Sequence, residues 1–165
     1  MAKGRLLVTG ASGLLGYAIC RQARASWEVF GICHRRRISV NGVTSIRADL
    51  TDTVQLADCF ERVDPQAVMH AAALSQPNDC EQRPQESEKI NLRAAEKIAA
   101  LCSGKSIPLV FTSTDLVFDG CNPPYAEKDP VSPVCIYGRH KAGAEKAIRD
   151  IYPDAAICRM PLMLG

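Results

Sequence analysis

The chain has 165 residues, enough for one domain with a single well-filled core. Apolar residues make up 47% and charged residues 23%, a balance that excludes a disordered chain. Twenty Lys and Arg against 18 Asp and Glu leave a net charge of +2, too small to point to nucleic acid or an anionic membrane as partner.

RLLVTG (5–10) is predicted as a buried strand, followed by a helix from about Leu14 to Ala25. Between them VTGASGLLGYA places Gly10, Gly13 and Gly16 in a strand-to-helix turn. Small residues there let the backbone turn tightly and approach a pyrophosphate, while the helix N-terminus offers free N–H groups and a positive dipole end. Gly10, Ser12, Gly13, Leu14 and Leu15 are the candidate cradle. The spacing is G-x-x-G-x-x-G rather than G-x-G-x-x-G, and the steric needs of a tight turn explain glycines as well. Their place on the first strand of an alternating chain favours the dinucleotide.

The second strand, WEVFGIC (27–33), runs into HRRR. Sites selective for NAD put an acid here to bond the ribose hydroxyls. This chain has Arg35, Arg36 and Arg37, which suit a 2′-phosphate; a solvated basic loop is the alternative. NADP is therefore the expected cofactor, with NAD left open. VTSIRA (43–48) is the third strand, ending beside Asp49 and Leu50. Asp49 either accepts from an adenine amino group or caps the next helix, TVQLADCFERV (53–63). In the fourth strand, AVMHAAA (67–73), Ala71, Ala72 and Ala73 either let a cofactor lie against the backbone or simply pack closely. His70 is read as a satisfied interior histidine.

QESEKINLRAAEKIAALCSG (85–104) has the helical apolar period and a closing glycine. IPLVFTS (107–113) is a strand whose end carries the hydroxyls of TST (112–114). VFDGCNPPYAEKDPVSP (117–133) is long and irregular, a functional or mobile loop. It leads into the amphipathic helix CIYGRHKAGAEKAI (135–148), and AAICRM (155–160) is the last strand. Continuous rather than alternating apolar runs imply strands buried on both faces. The expected fold is one α/β domain over 1–165, a doubly wound parallel sheet with helices on both faces.

Eight cysteines show no C-x-x-C pair and no ligand spacing, so reduced thiols, no metal site and a cytoplasmic location are expected. No apolar run is long enough to span a bilayer, and MAKGRLLVTG is apolar too briefly for a signal-peptide core.

Tyr137 and Lys141 stand one helical turn apart on one face. A phenol titrates at about 10 in water, and a neighbouring ammonium would bring it nearer the working range. A hydroxyl from TST would complete a polar clamp on a substrate carbonyl at the strand end, where open α/β sheets bind ligands.

GASGLLG, HAAALSQPNDCE, INLRAAE, STDLVFDG, PYAEKDPVSPVCIYGRHKAGAE and CRMPLMLG together resemble the extended short-chain dehydrogenase/reductase family, nearest its dTDP-4-dehydrorhamnose reductase branch. The resemblance covers nearly the whole chain and implies a Rossmann fold. It also implies that Thr114 hydrogen-bonds the substrate carbonyl, that Tyr137 donates the proton, and that Lys141 tunes Tyr137 and holds the nicotinamide ribose. Hydride then comes from NAD(P)H, and the substrate is a nucleotide-linked 4-keto-deoxysugar. Leu116 stands where that branch usually has an aromatic, which bears on the substrate side of the site. Family members continue past the position of Gly165 into a sugar-nucleotide portion, so this chain is expected to be the cofactor part, inactive alone. Two other functions share the resemblance: an NADP-binding regulatory subunit like that of methionine adenosyltransferase, and a dinucleotide-binding domain without chemistry. The intact Thr114, Tyr137 and Lys141 favour the enzyme. A homodimer is the assembly the family suggests, with no pairing face identified by these residues.

Overall fold

Six strands form one parallel sheet in the computed structural model, which describes residues 3–163. They are β1 (Arg5–Thr9), β2 (Glu28–Cys33), β3 (Val43–Arg47), β4 (Ala67–His70), β5 (Leu109–Thr114) and β6 (Ala156–Met160). The helices are α1 (Leu14–Ala23), α2 (Thr53–Val63), α3 (Pro77–Gln82), α4 (Pro84–Glu88), α5 (Ala94–Gly104) and α6 (Ile136–Ile151). The strand order is β3-β2-β1-β4-β5-β6, with every pairing parallel. The chain winds outward from β1 to β3, then crosses back to β4 and continues to β6. Its direction reverses between β1 and β4, the crevice where such sheets hold ligands.

Successive side chains of a strand point to opposite faces, and here both faces are covered. Leu7, Val68 and Phe111 join Leu56 and Phe60 of α2, Ile98 of α5 and Ile148 of α6 in one core. Leu6, Val8 and Val29 join Cys20 of α1 and Ile38 in the other. The expected doubly wound sheet is what forms.

Three local differences from the sequence-based expectation have physical causes. Sheet pairing in β4 stops at His70, so Ala71, Ala72 and Ala73 lie outside the strand. The Ala72 N–H donates to the Thr9 hydroxyl (3.2 Å) instead of a strand carbonyl. The helix expected over 85–104 is interrupted by a π-turn at Lys89–Arg93, whose extra residue places Asn91 inward. There Asn91 accepts from the Leu74 N–H (2.8 Å) and donates to its carbonyl (3.0 Å), clamping the loop after β4. Finally, α3 escapes prediction because PNDCEQ is too short and polar to show a period, burying only Cys80.

Among the described residues all eight cysteines are free thiols, no cluster of His, Cys, Asp and Glu could hold a metal ion, and no helix is long and apolar enough to cross a membrane. Leu164 and Gly165, the end of the CRMPLMLG stretch, lie outside the described residues.

Candidate active site

At the crevice, the turn after β1 packs on the backbone after β4. Gly10 has φ +67°, and a Cβ there would come within 2.7 Å of the Ala72 N and Cα atoms. This glycine is required by the close approach of two loops. Gly13 differs: a Cβ would meet only the Gly10 carbonyl oxygen at 3.3 Å, and the residue faces solvent. Gly13 is also the N-cap of α1, where it gives no side-chain cap, and the first turn holds no acid. The first N–H groups of α1, from Leu14 and Leu15, therefore keep their donor capacity. Ser12, Gly13 and Leu14 are exposed beside them. A solvent-exposed glycine and an uncapped helix start fit the diphosphate of a dinucleotide.

Arg35, Arg36 and Arg37 follow β2 and are exposed, and among the described residues their guanidinium groups make neither hydrogen bonds nor ion pairs. Asp49, after β3, accepts from the Thr51 N–H (2.9 Å) and hydroxyl (2.8 Å), which hold its carboxyl below the usual range. It does not cap α2. Asp52 does, accepting from the N–H groups of Val54 (2.9 Å) and Gln55 (3.1 Å), so the capping alternative for Asp49 falls away. Asp49 keeps its other oxygen 3.8 Å from His34. Leu50 packs at the edge of the main core.

At the other end of the edge, α6 is pressed against the short 3-10 turn Asp115–Val117 that follows β5. A Cβ at Gly138 would run into the Leu116 carbonyl, so glycine after Tyr137 is what permits this approach. The contact sets the start of α6, with Tyr137, against the turn that follows Thr114, the last residue of β5. Thr114 donates to Asp115 Oδ1 (3.1 Å) and accepts from the Leu116 N–H (3.2 Å). Its neighbours in TST point elsewhere: Thr112 donates to the His70 carbonyl (3.1 Å) and Ser113 to Glu145 (2.5 Å).

Lys141 is almost wholly buried, donating to the Thr112 carbonyl (2.6 Å) with its ammonium 4.0 Å from the Phe111 ring centre. Burial lowers it to about 7, opposed by the Glu145 charge. Tyr137 is buried too and is pushed up to about 12, chiefly by desolvation, then by Cys80, Asp115 and Cys135. This is the opposite of the downward tuning expected from the lysine: in this arrangement the ammonium is directed to Thr112, and desolvation dominates at the phenol. His70, expected to be satisfied, is half so: Nδ1 bonds the Thr9 hydroxyl at 2.6 Å, while Nε2 is buried without a partner. Burial, then the Lys141 charge, lowers it to about 3, so it is neutral.

Other contributors were not visible in the sequence. Buried Glu145 pairs with half-buried Arg159, a contact between α6 and β6 that is legible only in the folded chain. The loop after β5 is tied around Asp119, which accepts from Tyr125 (2.6 Å), Ser132 (2.8 Å) and the Cys121 N–H (2.9 Å). With Asp115, Leu116, Phe118 and Arg159 it borders an open cavity of about 550 Å³ next to Thr114.

Residues 4–165 match the family described as RmlD substrate binding domain. The chain is similar to a probable low-salt glycan biosynthesis reductase, Agl14, of Haloferax volcanii, at 35% identity over 160 residues, 96% of this chain and 53% of that protein. It is similar to methionine adenosyltransferase 2 subunit beta of Rattus norvegicus at 34% identity over 163 residues, 98% of this chain and 47% of that one. The fold matches the dTDP-4-dehydrorhamnose reductase of Bacillus anthracis solved in complex with NADP, with TM-score 0.86, 24% identity, 100% of this chain and 56% of that one. The chain thus spans about half the length of the curated relatives it matches.

Proposed function

The chain belongs to the RmlD substrate binding domain family, and from that premise we propose that it supplies the cofactor site and reacting groups of an NAD(P)H-dependent reductase acting on a nucleotide-linked 4-keto-deoxysugar. One observation carries this: α6, which bears Tyr137 and Lys141, is held against β5 and the turn after Thr114, through the Lys141 bond to the Thr112 carbonyl and the close approach of Gly138 to Leu116, two strands from the glycine turn of β1. NADP is the proposed cofactor, with NAD as the lesser alternative, because Arg35, Arg36 and Arg37, exposed after β2 and unpaired among the described residues, would suit a 2′-phosphate. Gly10, Ser12, Gly13, Leu14 and Leu15 would hold the diphosphate. Asp49 and Leu50 would flank the adenine, and Ala71, Ala72 and Ala73 would form the crevice wall.

When bound, the reduced nicotinamide supplies the hydride that converts the keto carbon to an alcohol. Tyr137 delivers the proton to the carbonyl oxygen; its high titration point keeps it neutral, the form a donor must start in. The Thr114 hydroxyl would turn from Asp115 to the same oxygen. Lys141, in its charged form, would hold the ribose of the cofactor and favour the phenolate that proton transfer leaves on Tyr137. Because the chain spans about half of its relatives, turnover is assigned to an assembly in which the sugar-binding portion is present. Eight free thiols support a reducing, cytoplasmic setting.

The test has two stages. NADPH fluorescence should change on mixing with this chain, and no change at millimolar NADPH overturns the cofactor site. A chain of the relatives' full length should then oxidise NADPH only when given the keto-sugar nucleotide. The similarity to methionine adenosyltransferase 2 subunit beta favours a second reading, an NADP-binding regulatory subunit. NADPH binding without turnover on any keto-sugar nucleotide would select it.

A further inference from the structure

Lys141 needs to be charged for the role just assigned, yet it sits where charge is least stable. Its ammonium touches the Thr112 carbonyl and the Phe111 ring from β5, and among the described residues it forms no ion pair. From β4 it faces His70, which is neutral. On its own helix it has Tyr137, also neutral, and Glu145 one turn further on. Glu145 is just as buried and is anchored to Ser113, the neighbour in β5 of the Thr112 whose carbonyl holds the ammonium, so its charge acts on Lys141 across a short stretch of the same strand.

A buried carboxyl would ordinarily take up a proton. Glu145 is instead surrounded by donors. Ser113 Oγ donates to Oε1 at 2.5 Å, Arg159 Nε to Oε1 at 3.0 Å and Arg159 Nη2 to Oε2 at 2.7 Å. Arg149 lies 3.5 Å away, more exposed. These donors outweigh burial and hold the carboxyl ionised. Arg159 is in turn fixed from the cavity side, over the Phe118 ring at 4.9 Å and within 3.4 Å of the Glu127 carbonyl.

We propose that Glu145 and Arg159 are positioning residues for Lys141: the carboxylate is the negative charge that lets the buried ammonium keep its proton, and the guanidinium holds that carboxylate ionised and in place. The effect on Lys141 rests on this buried geometry; its consequence for turnover rests on the reductase function proposed above. Because Arg159 also touches the loop at the cavity rim, it links that loop to the charge of the reacting pair.

The experiment follows Lys141 directly, by carbon NMR of the chain labelled at the lysine ε-carbon, with the resonance assigned by Lys141→Arg. The wild-type midpoint is expected near about 7. Removing the counter-charge in Glu145→Gln should lower it by about one pH unit or more. Arg159→Gln should lower it in the same direction, and Arg159→Lys should recover part of the loss. A folded Glu145→Gln protein with an unchanged Lys141 midpoint overturns the proposal. Should Glu145→Gln not fold, equal midpoints in wild type and Arg159→Gln overturn it instead. NADPH binding is measured separately on each protein. Failure of the wild type to bind would strike the reductase function and leave the Lys141 midpoints to judge this inference alone.

Discussion

The two ends of the sheet's ligand edge treat charge in opposite ways. Beside β1 and β2, Arg35, Arg36 and Arg37 stand in solvent with no partner among the described residues, and the start of α1 has no side-chain cap. Beside β5 and β6, Lys141 and Glu145 are buried, and Glu145 accepts from Ser113 at Oε1 and from Arg159 at Oε2. Water stabilises an exposed guanidinium at no cost to the fold, so the first end can wait for a ligand to bring the opposite charge. A buried charge must be compensated by the protein before any ligand arrives. The end proposed for the cofactor therefore leaves its charges open, while the end proposed for the reaction has its titration points displaced by its own structure.

The sharpest way to break this contrast is Tyr137→Phe in the full-length protein. Loss of the proton donor should lower turnover by about a hundredfold or more, while NADPH titration shows unchanged affinity. Retained turnover would remove the reacting end from the chemistry. At the opposite end, replacing Arg35, Arg36 and Arg37 by alanine should weaken NADPH by about tenfold or more, from lost charged hydrogen bonds, and NADH far less. Equal losses for the two cofactors would deny the arginines their role, and a fall in melting temperature would show that they were never free of the fold.

A smaller effect concerns stability at the buried end. Folded Lys141 titrates at about 7, below its ordinary 10.5, so the folded protein binds fewer protons than the unfolded chain between those values. Stability from this group therefore rises with pH across that window and is lowest below it. Lys141→Met should raise the melting temperature at neutral pH by a few degrees and flatten its rise toward alkaline pH, while abolishing turnover. A lower melting temperature would mean that the ammonium stabilises the fold. The least effect is expected at the cavity rim, where its three donors hold Asp119 at about 2 against an ordinary 3.8. Its contribution is present above the ordinary value and is lost as pH falls toward about 2. Asp119→Asn should open the loop to proteolysis at neutral pH with little change in melting; an unchanged cleavage rate would mean that Asp119 does not tie it.

Much of the fold was legible because its causes are local. Apolar runs such as RLLVT and LVFTST can be buried on both faces only in a covered parallel sheet, and the glycine turn sits where the first crossover must begin. Chain order could not reveal where β4 stops, because Ala71–Ala73 are as apolar as a strand, and it is a side chain from β1, the Thr9 hydroxyl, that takes the Ala72 N–H. Nor could it separate Asp49 from Asp52 as helix cap, since both precede α2 and only backbone geometry assigns the bond. Asn91 in INLRAAE shows the same limit: its π-turn and its clamp on Leu74 depend on a loop 17 residues away.

What the sequence determined by itself was the order of the sheet's elements, the glycine turn, the basic stretch after β2, and the spacing that puts Tyr137 and Lys141 on one helical face. The protonation behaviour of that pair was decided only by the tertiary structure. A titration point depends on what surrounds the group in space, and here the decisive neighbours, Phe111, Ser113, Glu145 and Arg159, come from β5, α6 and β6. Their packing buries the pair, leaves the phenol neutral, and makes one carboxylate the counter-charge for the lysine.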